Sequence, residues 1–316
     1  MMTSITDPML ISFERSERPV RFIVIASIAF LLLVAAWAAS ERKLAAVFFA
    51  PTQLTSSEAN LGALVKYAAA GRKDVAWVGS SLTAALSERY FTIPHSYNLG
   101  LSGGSPVTGL EILERLPSLP KAVIVETNIL DRPPDSSLLQ RPWELFDNPA
   151  VALLSDFYQP LQLISAAIVF RPERIRLRAQ ARRKALLEEP SSYRGLSASA
   201  RGALAALDKL PVNDGLETSN AARLIAAKNR LLARGVHVYF VYLPYAPEFQ
   251  AHPYNRRAQF RITGQSQYVC DVCIDLSRLL PASELGWSDG QHVNERTSVI
   301  VIDAMERVLR SSGAPD

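Results

Sequence analysis

Short apolar runs alternate with helix-like segments in two stretches of this chain, and that alternation constrains the fold more than any other feature. The candidate strands are residues 75–79 (VAWVG), 96–99 (SYNL), 122–125 (AVIV), 236–242 (VHVYFVY) and 272–274 (VCI). Apolar runs of this length bounded by turn residues read as strands buried on both faces. Helical segments are expected at 56–71, at 82–90, after Ser105-Pro106, at 220–234 and after Asn294. Ser105 supplies an N-cap with Pro at the first helical position. Leu224, Ile225, Leu231 and Leu232 share one face, with Gly235 as the stop. Strands alternating with helices predict an α/β fold: a mainly parallel sheet covered on both faces, in three layers α/β/α. Between Leu130 and Leu216 the alternation stops and prolines recur. This stretch, about 131–216, reads as a helical insertion between the third and fourth strands.

The N-terminus carries a second constraint. Residues 22–39 run without a charge, and 18 residues at the helical rise span about 27 Å, close to a bilayer's hydrocarbon thickness. Arg15, Arg18 and Arg21 precede the run; Arg42 and Lys43 follow it beside Glu41. The positive-inside rule puts residues 1–21 in the cytoplasm as a short tail. The rival is a cleaved signal peptide, since Ala36-Trp37-Ala38 resembles a cleavage site; the length of the run and of the segment before it favours an anchor. The expectation is a single-pass protein of the inner membrane, with residues 40–316 outside the cytoplasm. A net charge of +4 gives the whole chain no nucleic-acid signature. The 2 cysteines, Cys270 and Cys273, are too few for a disulfide-built scaffold. Their C-x-x-C spacing fits a structural bridge or two packed thiols better than redox chemistry, because they lie against a strand and not at a strand-to-helix turn.

The chemistry centres on Gly79-Ser80-Ser81-Leu82, at the end of one predicted strand and the start of a helix. Ser81 there is exposed at the carboxyl edge of the sheet, where open α/β folds place their sites. The helix start offers backbone N–H groups to a developing oxyanion. An ordinary Ser cap explains the tetrapeptide equally well if no partner exists. Asp289-Gly290-Gln291-His292 supplies one: His292 as the base that takes the serine proton, Asp289 as the group that holds its tautomer. The chain has 4 histidines. His237 falls inside a predicted strand and reads as a packed residue. His252 has no visible partner, and His95 stands before the second strand within conceivable reach of the site's rim. Gly103 and Asn128 follow the second and third strands. Gly103 permits close approach of a backbone N–H, and the Asn128 amide can donate to the same oxyanion. A tight turn and a strand-end cap are the plainer explanations of the two.

Four blocks in order resemble the SGNH (GDSL) hydrolase superfamily: Gly79-Ser80-Ser81-Leu82, Gly103, Asn128, and Asp289 with His292. The resemblance covers roughly residues 72–130 and 235–312 and leaves out the insertion. It implies an SGNH/flavodoxin-like fold, a triad of Ser81, His292 and Asp289, and an oxyanion hole from the Ser81 and Gly103 N–H groups and the Asn128 amide, with neither cofactor nor metal. Two departures stand out: Ser80 replaces the usual Asp before the nucleophile, and Glu126 replaces a common glycine. The Gly-Ser-Ser variant is similar to a periplasmic, membrane-anchored branch of alginate O-acetylation and D-alanyl-transfer proteins. The implied function is O-acetyl transfer to, or removal from, a cell-envelope polysaccharide. The alternatives are a general anchored esterase or lysophospholipase, and a non-catalytic, polymer-binding scaffold for a membrane acyltransferase. Expected partners are the polysaccharide or another acyl ester, the membrane, and such an acyltransferase, but not nucleic acid. The basic stretch from Arg171 to Lys184 reads either as a solvated helix face or as a contact for anionic lipid or acidic polymer.

Overall fold

The computed structural model describes residues 23–33, 56–68, 70, 72–141, 143, 172–191, 193, 195–257 and 273–313. The chain divides into two units, 1–54 and 55–316. In the first, residues 23–33 form a helix whose side chains are all exposed. Eleven residues reach about 16 Å, roughly half a hydrocarbon core, and among the described residues no helix is long and apolar enough to cross a membrane. The rest of the expected 22–39 anchor lies outside the described residues.

The second unit holds a five-stranded, wholly parallel sheet. Its strands are β1 (Val75–Gly79), β2 (Ser96–Gly100), β3 (Ala122–Glu126), β4 (His237–Tyr242) and β5 (Cys273–Asp275), in the order β2-β1-β3-β4-β5. The principal helices are α1 (Ser56–Ala68), α2 (Pro106–Arg115), α3 (Pro172–Glu188), α4 (Ala198–Leu207), α5 (Asp214–Ala233) and α6 (Glu295–Ser311). The central strands β1, β3 and β4 are mostly apolar because alternate side chains enter two separate cores. Ala76, Val78, Val123, Val125, Val238 and Phe240 pack with residues of α1, α2 and α5. Val75, Trp77, Ile124, Tyr239 and Val241 pack on the other face with α6 and with Leu186 and Leu207 of the insertion. Each such Val or Leu contributes about 1.5–3 kcal/mol by leaving water.

Three expectations need correction. The helix expected over 82–90 is a single turn, Ser81–Ala84, followed by a 3₁₀ turn, Glu88–Tyr90. The Asn98 amide donates to the carbonyls of Thr83 and Leu86, taking acceptors that a longer helix would have used. The helix expected to begin at Asn220 begins at Asp214, because Asn213 caps it by accepting from the Leu216 N–H at 3.0 Å. His237, expected to be packed, is the exposed first residue of β4. Between β3 and β4 the described residues include helices α3 and α4; the apolar segment 150–170 lies outside the described residues. Cys273 is disulfide-bonded, and Cys270 lies outside the described residues.

Candidate active site

The strand order reverses at β1, between its neighbours β2 and β3, and the loops leaving the carboxyl ends of these strands diverge there. In open α/β sheets that switch point opens a crevice for ligands. Ser81 lies two residues beyond β1. Gly103 lies three residues beyond β2, and Asn128 two beyond β3. Parallel register brings these ends together: Gly79 pairs with Gly100, and Val78 with Val125.

Ser80 has extended backbone angles and caps the turn, its hydroxyl accepting from the Leu82 N–H at 3.2 Å. Ser81 is therefore the first helical residue, and its N–H has no intrahelical acceptor. The dipole of one four-residue turn is small, so what the turn offers an oxyanion is this N–H more than the macrodipole expected from a longer helix.

Asp289 and His292 come from a loop closed by an antiparallel bridge between Trp287 and Val293 and by a 2.9 Å bond from the Ser288 N–H to the His292 carbonyl. Asp289 Oδ1 accepts the N–H groups of Gln291 and His292 at 3.0 and 2.7 Å. Oδ2 is left facing His292 Nδ1 at 2.6 Å. His292 Nε2 lies 3.0 Å from Ser81 Oγ. Partial burial alone would raise the Asp289 pKa; the hydrogen bonds from His292 and its charge outweigh that and hold it at about 2. An ionised Asp289 only accepts, so Nδ1 carries the proton and Nε2 of the neutral ring accepts from the serine hydroxyl. Gly290 makes the loop possible: its φ is +90°, and a β-carbon there would stand 2.4 Å from the Phe249 ring.

The insertion buttresses this loop. Tyr193 meets Trp287 edge-on at 4.9 Å, the Ser191 hydroxyl donates to Leu285 O at 2.9 Å, and Arg296 Nε donates to Glu189 O at 2.7 Å. The basic helix α3 is tied to the body of the molecule as well. Arg182 bonds Glu189 and Glu295, and Arg183 pairs with Asp303. These two cations thus serve packing against α6, in addition to any role of the exposed face.

The structure joins Ser81, His292 and Asp289 in one hydrogen-bonded chain. Gly103 has a φ of +73° and open space around it, in a turn closed by the Gly104 N–H on Leu101 O at 2.8 Å. Its neighbour Ser102 exchanges two hydrogen bonds with the Asn60 side chain of α1, at 2.7 and 3.0 Å. Asn128 is buried and already engaged: its amide donates to Leu243 O at 2.8 Å, its carbonyl accepts from the Leu243 N–H at 2.7 Å, and it also interacts with the Tyr245 phenol. It ties the ends of β3 and β4 together, a role that its place after β3 did not disclose. His95 lies at the opposite edge, its carbonyl accepting from Asp74 ahead of β1. His252, expected to lack a partner, pairs with Asp208 at 3.1 Å.

A further residue, Glu126, supports the turn that carries Ser81. Glu126, 1 % exposed, places Oε2 2.6 Å from both the N–H and the hydroxyl of Ser80 and 3.3 Å from the Thr83 hydroxyl. The signal was an acid ending an otherwise apolar buried strand. Among the described residues no cluster of three or more His, Cys, Asp or Glu is placed to hold a metal ion. No protein-family model, curated protein or solved structure matches the chain.

Proposed function

We propose that this chain is a serine acyl-ester enzyme with an SGNH/flavodoxin-like α/β/α fold. The transferase and esterase readings of such an enzyme differ only in what accepts the acyl group. The observation that carries the reading is the relay from Asp289 through His292 to Ser81, with separations of 2.6 and 3.0 Å, at the sheet's switch point. Ser81 Oγ attacks the ester carbonyl and its proton passes to His292 Nε2. The Ser81 and Gly103 N–H groups stabilise the oxyanion, and the Asn128 amide joins them by exchanging one of its bonds to Leu243 O and Tyr245. Collapse expels the alcohol, which takes the proton from His292, and leaves an acyl-serine.

The acceptor that completes the cycle is a hydroxyl of a cell-envelope polysaccharide, or water where the same ester is removed. The apolar segment 22–39 supports this setting, because an anchor there would hold the domain beside the envelope. A second reading, a general anchored esterase, draws on the 49 % exposure of the Asp289 side chain, which leaves the acid–base pair open to water.

A fluorophosphonate probe should label wild type at Ser81 and leave Ser81→Ala unlabelled. Acetyl content of the envelope polymer should change in both a deletion strain and a Ser81→Ala strain. Labelling without any change in polymer acetylation favours the esterase; no labelling of folded wild type defeats the catalytic reading and restores a polymer-binding scaffold.

A further inference from the structure

We propose that Glu126 is a positioning residue for Ser81, holding the nucleophile turn from beneath as a hydrogen-bond acceptor. The inference rests on the acyl-ester reading of the site. One carboxyl oxygen gathers both flanks of the nucleophile: Oε2 accepts from the N–H and hydroxyl of Ser80, each at 2.6 Å, and from Thr83 at 3.3 Å. Ser81 sits between those residues, so its backbone is fixed on either side. The Ser80 hydroxyl hands the constraint on by accepting from the Leu82 N–H.

Gly79 leaves the space that the Glu126 side chain fills. A β-carbon at Gly79 would lie 2.7 Å from Glu126 Cβ and 2.7 Å from Oε2. Ser80 is 0 % and Glu126 1 % exposed, so water does not replace a lost bond without rearrangement. The two carboxyl oxygens are used unequally. Oε2 has three donors, while the buried Oε1 has no hydrogen-bond partner among the described residues. Every bond that Glu126 makes to the turn is therefore accepted by one oxygen, Oε2. Burial pushes the carboxyl up, against the pull of the Ser80 and Thr83 bonds and the field of Arg132.

This separates Glu126→Gln from Glu126→Ala. The glutamine carbonyl can occupy the Oε2 position and keep the Ser80 bonds; alanine removes them. Aryl acetate hydrolysis by the full chain should show Glu126→Gln close to wild type. Glu126→Ala should lose about 10²-fold in kcat with little change in KM, the usual penalty of misplacing a reacting group by about 1 Å. Amide hydrogen exchange at Ser80 is measured on the same proteins. Protection in wild type and Glu126→Gln, with release in Glu126→Ala, supports the clamp whether or not the ester is turned over. Where Glu126→Ala does not melt cooperatively, Ser80→Ala takes its place and should show a smaller fall in kcat. Equal Ser80 exchange in all variants overturns the proposal, and so does a Glu126→Gln protein as slow as Glu126→Ala. Failure of wild type to hydrolyse ester or take the probe, with Ser80 exchange as expected, removes the acyl-ester reading alone.

Discussion

Ser80 and Thr83, on either side of Ser81, are 0 % and 2 % exposed, whereas 49 % of the Asp289 side chain and 30 % of His292 remain open to solvent. The first group is fixed by the sheet itself: β1 delivers Ser81, and a carboxyl from β3 holds the turn. The second is fixed by a loop whose shape comes from Gly290, the Trp287–Val293 bridge and contacts with the insertion. One half of the relay is thus built into the core and the other is propped from outside. The contrast teaches that position in a buried core and position on a braced loop are separable supports for a single hydrogen-bonded chain.

Asp289→Asn tests the exposed half most severely. Loss of the tautomer-holding carboxylate should lower kcat about 10⁴-fold; a loss under tenfold would mean that solvent substitutes for Asp289 and that the exposed half contributes little. Asn128→Ala should lower turnover about 10²–10³-fold as a lost oxyanion donor. Because Asn128 also bridges to Leu243, its melting temperature should fall too, and a drop in stability without a drop in kcat would assign it to scaffolding alone. Gly79→Ala brings a β-carbon to 2.0 Å from the Thr83 hydroxyl and should destabilise by about 3 kcal/mol, seen in denaturant unfolding. On the propped side, Tyr193→Ala should cost about 1 kcal/mol from the lost edge contact with Trp287, and should lower kcat more than it lowers stability if the insertion positions the loop.

The smallest effect concerns acid. Asp289 has a folded pKa of about 2, below its unfolded value near 3.9. Its contribution is therefore complete above pH about 4 and is lost as the pH falls toward about 2. Solvent screening keeps it small. Thermal melts of wild type and Asp289→Asn should converge over that window, and parallel curves would show that the carboxylate gains nothing from folding.

The central strands were legible in the sequence because both faces of the sheet are buried there, which makes β1, β3 and β4 mostly apolar runs; β1 matches its expected span, and the others shift by a residue at their ends. The triad was legible because Asp289 and His292 are three residues apart and Ser81 ends an apolar run. Glu126 was not, since its partners are 43 to 46 residues away and only the register of β1 against β3 brings them together. The short helix after Ser81 was misjudged for a like reason: the Asn98 amide that ends it belongs to the neighbouring strand. The bracing by Ser191, Tyr193 and Glu189 follows from the return path of the insertion, which carries no local pattern.

The exchange of hydrogen bonds between Asn60 and Ser102 has a practical bearing on where the chain can be cut. Helix α1 contributes Leu61, Leu64 and Tyr67 to the core and grips the loop that carries Gly103. A soluble fragment for assay therefore has to retain residues from Ser56 onward. One starting at the first strand would lose its brace on the second loop of the site before any residue of the relay was touched.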